Sequence, residues 1–343
     1  MVPVSGAQSA VNNFSKMRSL VLILCLAVAV LGKPSTRHTI QWDSFWTLHE
    51  IEHYIEHLAE DYPEIMQLET IGTSSEGRNI EAVYISYGNN PNRPLVMVDA
   101  GLRAREWTSP MVAMFIIHEL VEHPELFSHI LEEVNFVIIP LVNPDGYVYS
   151  HTTDRLWVKS RKDNGNGCFG VDINRNFGYE WGTVGAGSDP CADNYAGTGA
   201  FSEPETEAVR TAINRYSANL KLYLSVQAAA KMVLYPFSYN GLRNPANAAS
   251  HSAVASAAAL EMIGQNGYLY TSGPAGILLP AESGTVSDYV SGQHGIQYTF
   301  VLETRGGGQN EYDLPASELS EVLYETAQGL KVMAEYVAGY RAV

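Results

Sequence analysis

Short runs of β-branched and aliphatic residues alternate with longer stretches of helical periodicity along most of this chain, and that alternation limits the fold more than any other feature. Apolar runs at 80–86, 95–99, 136–141, 222–226 and 297–303 read as strands. A 3.6-residue apolar period at 48–58, 109–123, 203–216, 250–264 and 316–336 predicts helices. Strands that are apolar throughout must be covered on both faces. The pattern therefore predicts an α/β fold: a single domain with a mixed, mostly parallel twisted sheet flanked by helices, whose ligands bind beyond the carboxyl ends of the strands. Ser202, with Glu205 three residues later, predicts a capping box opening the 203–216 helix. No repeat, low-complexity block or Pro/Gly/Ser-rich linker breaks this pattern.

The first 32 residues stand apart. Met17-Arg18 leads into an apolar run from Leu20 to Leu31 that is too short to span a bilayer, and Val30 and Gly32 supply the small-residue pattern of a cleavage site. Residues 1–32 are thus expected to be a signal peptide that is removed, with Met17 as an alternative start, leaving 33–343 as one secreted, extracellular domain. Removal takes away Lys16 and Arg18 and no acid, so the formal charge goes from -16 to -18. A chain this acidic repels phosphates and anionic membranes, so neither nucleic acid nor membrane is an expected partner, and solubility is the ordinary meaning of the charge. Cys25 leaves with the signal. Cys168 and Cys191 remain as an even pair closing a Gly- and Asp-rich segment, and they read as a disulfide. A two-Cys metal site is the alternative, with no further Cys and no nearby His to complete it.

His49-Glu50-Ile51-Glu52-His53 matches the zincin pattern of two histidines one helical turn apart with a glutamate between them. At about 100° per residue, Ile51, Tyr54, Ile55 and Leu58 share one face and His49, His53 and His57 the opposite one. The histidines are therefore expected to face water, without the third ligand and dry cleft that a catalytic zinc needs. A zincin-like endopeptidase acting through His49 and His53 ranks last among the functional readings.

The more specific motifs follow in order along the chain: Gly101-Leu102-Arg103-Ala104-Arg105-Glu106-Trp107, Asn143-Pro144-Asp145-Gly146, Arg155-Leu156-Trp157, Gly170-Val171-Asp172-Ile173-Asn174-Arg175-Asn176-Phe177, Ser202-Glu203-Pro204-Glu205, and a strand bearing Glu303 before Thr304-Arg305. Together they resemble the zinc metallocarboxypeptidases of the A/B type from about His38 to the C-terminus. The resemblance implies a zinc held by a His, a Glu and a later His, with water as the fourth ligand. Those positions are Arg103, Glu106 and Gln227 here. A guanidinium has no lone pair for a metal, and an amide oxygen beside one carboxylate suits zinc badly, so no metal and no other cofactor is expected.

The resemblance further implies that the carbonyl-polarising arginine is replaced by Val158 and the mobile tyrosine by Pro280, while Glu303 keeps the general-base position. Asn174 and Arg175 match the pair that grips a peptide's terminal carboxylate, Arg105 and Arg155 match outer-subsite positions, and Cys168 and Cys191 fall where the family places a disulfide. Ser287 stands at the base of the specificity pocket, which excludes an acid-lined pocket for basic side chains and leaves side-chain preference open. The several dozen residues of an activation segment are not found between Gly32 and His38. Without a dication, Glu106, Glu303 and Asp172 would crowd together, so Arg103 is expected to supply the cation and to pair with Asp172. The resulting expectation is a secreted, monomeric, non-catalytic pseudo-peptidase that still binds a peptide or protein C-terminus. An atypical metallocarboxypeptidase that releases C-terminal residues is the alternative.

Overall fold

The computed structural model describes residues 40–88 and 90–343, so the expected signal peptide lies outside the described residues. Within the unit Gln41–Val343, one sheet is formed by β1 (Met66–Thr73), β2 (Asn79–Ile85), β3 (Leu95–Ala100), β4 (Asn135–Ile139), β5 (Leu220–Tyr235), β6 (Thr271–Pro274) and β7 (Tyr298–Arg305). Its longer helices are α1 (Leu48–Asp61), α2 (Thr108–Glu122), α3 (Pro144–Thr152), α4 (Pro204–Tyr216), α5 (Ala248–Asn266) and α6 (Ala316–Val337). The pairings β1/β2 and β2/β4 are antiparallel, whereas β4/β3, β3/β5 and β5/β6 are parallel, so the sheet is mixed and mostly parallel as expected.

Strand β5 departs most from the sequence reading. It begins parallel to β7, pairing from Leu222/Tyr298 to Ala229/Arg305. The register then reverses, with Met232 opposite Glu303 and Leu234 opposite Val301, so β7 lies between two limbs of β5. The chain turns at Lys231, whose φ is 54°, and the returning limb carries β6 on its far edge. Gln227-Ala228-Ala229-Ala230-Lys231 has helix-favouring composition, which is why the apolar run stops at Val226; pairing on both sides of β7 overrides that preference. β1 was not anticipated either, because an edge strand with half-exposed side chains carries no apolar run.

The strands are sandwiched as their composition requires. Leu95, Met97, Val137, Ile139 and Tyr223 pack with Ala208, Val209, Ala212 and Ile213 of α4, while Val96, Val98, Phe136 and Ile138, which point the other way, are equally buried. Every residue of α2 except Glu119 is buried, and that helix packs against β3, β5 and α6. Beneath the carboxyl end of β3, the fully buried Asp99 accepts from Ser225 Oγ (2.7 Å) and from Tyr223 Oη, and burial pushes its pKa up to about 7.

The capping expectation is not met. Ser202 and Glu205 do not form a capping box: Glu203 is the N-cap of α4, and its side chain makes no capping bond. The Ser202 hydroxyl is drawn away, donating to Glu203 Oε1 (2.9 Å) and accepting from Asn176 Nδ2 (3.0 Å), and Glu205 turns inward to accept the Ser75 amide (3.3 Å). A capping box does open α1, where Thr47 and Glu50 exchange side-chain to backbone bonds. That helix buries Ile51, Tyr54, Ile55 and Leu58 and leaves His49, His53 and His57 exposed, with the Nε2 atoms of His53 and His57 3.1 Å apart.

Cys168 and Cys191 form a disulfide with a Cα–Cα distance of 4.8 Å across a separation of 23 residues. The loop it closes contains Asp172, Asn174 and Arg175. Closing a loop of this length restricts the unfolded chain by about 3 kcal/mol. The double variant Cys168→Ser/Cys191→Ser is accordingly expected to lose about that much stability in urea unfolding; an unchanged midpoint would contradict this account.

Candidate functional site

The parallel strands β3, β5 and β7 end side by side, and the candidate site lies just past their carboxyl ends. β3 delivers the chain to Gly101, whose φ of 66° and close approach to Leu141 (2.5 Å from a notional Cβ to Cδ1) leave no room for a side chain. This turn starts the segment 101–107 that carries Arg103, Arg105 and Glu106. Gln227 of β5 and Glu303 of β7 are register partners, so the pairing of the strands sets them side by side. Asp172 opens the 3-10 turn Ile173–Arg175 by accepting the Asn174 amide at Oδ1 (3.2 Å), and that turn presents Asn174 and Arg175.

Arg103 lies at the centre of the charges. Its Nε donates to Asp172 Oδ1 (3.3 Å), its Nη1 to Gln227 Oε1 (3.1 Å) and its Nη2 to Glu282 Oε2 (3.3 Å), with Glu106 Oε1 3.8 Å from Nη1. Arg175 meets the same two acids from the other side: Nε donates to Asp172 Oδ2 (2.9 Å), and Nη2 lies 2.9 Å from Glu282 Oε2. Arg103, Asp172, Arg175 and Glu282 thus close a ring of alternating charge. Burial pulls the Arg103 pKa down, but the carboxylates of Asp172, Glu282, Glu106 and Glu303 outweigh it and hold the guanidinium well above its ordinary value.

The remaining acids are strained by burial. Desolvation raises the Glu106 carboxyl above the usual range, with Arg103 opposing and Glu303 reinforcing. It raises Glu303 likewise, with Arg103 opposing and Glu282 reinforcing. Glu106 Oε2 accepts the Ala228 amide (3.2 Å), while the buried Oε1 has no hydrogen-bond donor. A retained proton on such a carboxyl relieves both problems at once.

Gln227 is fixed on every polar atom. Its Oε1 also receives Asn174 Nδ2 (3.4 Å), and its Nε2 donates to Ser225 Oγ (3.1 Å), which links the site to Asp99. The fit to zinc is poor for chemical reasons. Arg103 offers a cation where a donor is needed, and the Gln227 oxygen is already spent on Arg103 and Asn174.

Arg105 and Arg155 belong to a second group. Arg105 lies over the Tyr312 ring (4.2 Å) and donates to its hydroxyl (3.1 Å). Arg155 lies over Trp107 (3.7 Å), donates to the Arg105 carbonyl (2.8 Å) and pairs with Asp313 (3.3 Å). Val158 is buried, and its carbonyl accepts the Ala104 amide (3.0 Å). Pro280 is exposed and, with Asn174, Gln227, Glu282, Ser287 and Glu303, helps to line a small pocket beside the ring of charges.

Comparison with known proteins places the chain in a family. Residues 51–329 match the family model described as zinc carboxypeptidase. The chain belongs to the zinc carboxypeptidase family. It is similar to carboxypeptidase B of Astacus astacus, at 35% identity over 300 residues covering 87% of this chain and 98% of the relative. It is also similar to carboxypeptidase B of Rattus norvegicus, at 38% identity over 292 residues covering 84% and 69% of the two chains. Among solved structures, bovine thrombin-activatable fibrinolysis inhibitor in complex with tick carboxypeptidase inhibitor superposes with a TM-score of 0.81 at 29% identity, covering 88% of this chain and 99% of that one. Carboxypeptidase A from Helicoverpa armigera gives a TM-score of 0.83 at 29% identity, covering 94% and 81%. The carboxypeptidase A-like α/β fold is therefore shared.

The fold of this zinc carboxypeptidase family member gathers Arg103, Glu106, Gln227, Asn174, Arg175 and Glu303 into one cluster, and Arg105 with Arg155 into another. His49 and His53 lie elsewhere, on the exposed face of α1. Glu282 was missed in the sequence. The one signal for it was an acid two residues beyond Pro280, in a loop whose counter-charges are distant in the chain.

Removing the central cation tests this electrostatic arrangement. Arg103→Met should destabilise the fold by about 3–5 kcal/mol at pH 8, because it leaves buried carboxylates uncompensated. Glu106 and Glu303 already have raised pKa values, so they take up protons as the pH falls, and the deficit should shrink at pH 5. Urea unfolding at the two pH values measures this, and a deficit that is the same at both would contradict it.

Proposed function

We propose that this zinc carboxypeptidase family member is a secreted, non-catalytic protein that has kept the family's cleft as a receptor for a peptide C-terminus. The observation that carries the reading is the position of Arg103. Its guanidinium lies within ion-pair distance of Asp172, Glu282 and Glu106, in the place where the resemblance puts a metal ligand. A fixed cation there balances the acids but cannot lower the pKa of a water or polarise a carbonyl as a Lewis acid does. Glu303 retains the general-base position, yet Val158 contributes only a buried aliphatic side chain where a carbonyl-polarising arginine is expected. A base without an activated water and without stabilisation of the oxyanion does little chemistry.

Carboxylate binding is supported by what Arg175 already does. It holds the Glu282 carboxylate on Nη2 while Asp172 on Nε and the Gly185 carbonyl on Nη1 (2.7 Å) fix its orientation. Export is supported by the apolar 20–31 segment and by a disulfide, which persists in oxidising compartments. Among the described residues no helix is long and apolar enough to cross a membrane. The net charge of -16 disfavours nucleic acid as a partner.

Two measurements test the reading. Mass spectrometry of the purified protein should find zinc far below one equivalent, and peptide hydrolysis should be absent with or without chelator. The variant Arg103→His/Gln227→His restores a His, Glu, His donor set and should take up about one equivalent. Stoichiometric zinc in the unmodified protein would refute the non-catalytic reading. Calorimetry should show a free-acid peptide binding and its C-terminal amide not binding; equal or absent binding of the two would refute the receptor reading.

A further inference from the structure

We propose that Glu282 is an internal occupant of the carboxylate anchor, and that a peptide C-terminus binds only by displacing this side chain from Arg175. The inference deepens the receptor reading above and rests on it. Arg175 has a limited set of donors. Of its five N–H groups, Nε donates to Asp172 Oδ2 (2.9 Å) and one on Nη1 donates to the Gly185 carbonyl (2.7 Å), while Nη2 is ion-paired with Glu282 Oε2 (2.9 Å). Asn174 is committed too: its Oδ1 accepts the Val286 amide (3.1 Å), and its Nδ2 points to Gln227 (3.4 Å). An incoming carboxylate therefore finds its best donor already holding one.

Glu282 is the member of the ring that can leave. Its side chain is 22% exposed, against 3% for Asp172. Its backbone stays tied, because the Glu282 amide donates to the Ser238 carbonyl (3.2 Å) and the Ser283 amide to the Val184 carbonyl (2.9 Å). Gly284, at φ 75°, packs against the Arg175 carbonyl so closely that a notional Cβ would lie 2.3 Å from the oxygen, which holds the loop at that distance from the anchor. Displacement is then a rotation of one side chain toward solvent, without movement of the loop. Glu282 is also a wall of the small pocket that contains Asn174, Ser287 and Glu303, so the same rotation enlarges the space next to the anchor. The exchange conserves charge: one carboxylate leaves Arg103 and Arg175 as another arrives. A neutral C-terminal amide cannot substitute in this way.

The test compares the full-length protein with Glu282→Gln and Glu282→Ala, using calorimetry with a synthetic free-acid peptide and its amide. Glutamine keeps the size of Glu282 but removes the competing charge, so the free-acid peptide should bind about tenfold tighter or better to Glu282→Gln, with no gain for the amide. Glu282→Ala provides a second reading if Glu282→Gln folds poorly, and its gain should be at least as large. Adding Arg175→Met to Glu282→Gln should abolish the gain, which a merely structural role for Glu282 would not predict. If the unmodified protein and both variants bind the free acid equally, and better than the amide, the occupant role is overturned while the receptor reading stands. If none of them distinguishes acid from amide, the receptor reading itself falls, and the occupant role falls with it.

Discussion

Four carboxyl groups and two guanidinium groups meet beyond the ends of three parallel strands, and the arrangement of the site follows from the need to balance them in a largely dry place. Asp172, Glu106 and Glu303 are almost fully buried. A buried carboxylate without a partner costs several kcal/mol, so a cation has to be present, a proton has to be retained, or the acids have to be lost. Arg103 supplies the cation for Asp172, Glu282 and Glu106. Burial raises the Glu106 and Glu303 carboxyls above their ordinary range in spite of Arg103, which favours a retained proton on them.

The fold fixes these distances before any ligand arrives. β7 is clasped between the two limbs of β5, so Glu303 cannot shift relative to Gln227 without breaking ladder hydrogen bonds on both sides. Gln227 is braced from below through Ser225 to Asp99, and from above by Arg103 and Asn174. Such a network is stable only when each member is satisfied, and here the Gln227 amide is satisfied on both its oxygen and its nitrogen. The disulfide adds a restraint on the loop that bears Asp172, Asn174 and Arg175.

Much of this was legible in the sequence, for reasons that differ between elements. β3 and β4 are buried throughout and so read as apolar runs, and α2, buried except at Glu119, keeps a strong apolar period. β1 and the second limb of β5 exist because neighbouring strands pair with them, and composition alone does not record pairing. The contact between Arg103 and Asp172 followed from charge balance, since a cation next to stranded acids has few other partners. Glu282 did not follow: its two partners approach from far along the chain, Arg103 being 179 residues away, and a loop glutamate is ordinarily a solvated one. Ser202 and Glu205 misled because an N-cap motif is a local preference, and here the serine hydroxyl is captured by Asn176 and Glu203.

The ring of Arg103, Asp172, Arg175 and Glu282 also restricts what the cleft can recognise. Removing Glu282 from its place leaves Arg175 ion-paired with Asp172 alone and Arg103 with Asp172 and the more distant Glu106, an imbalance that a neutral or cationic ligand cannot correct. A planar monoanion restores the balance, and a carboxylate matches the geometry that both guanidinium groups already present to Glu282. Selectivity then arises from conservation of charge within a closed set of partners and does not depend on the depth of the side-chain pocket. For the same reason affinity and stability are coupled at this position: the better Glu282 satisfies the two arginines in the free protein, the less a ligand gains by replacing it.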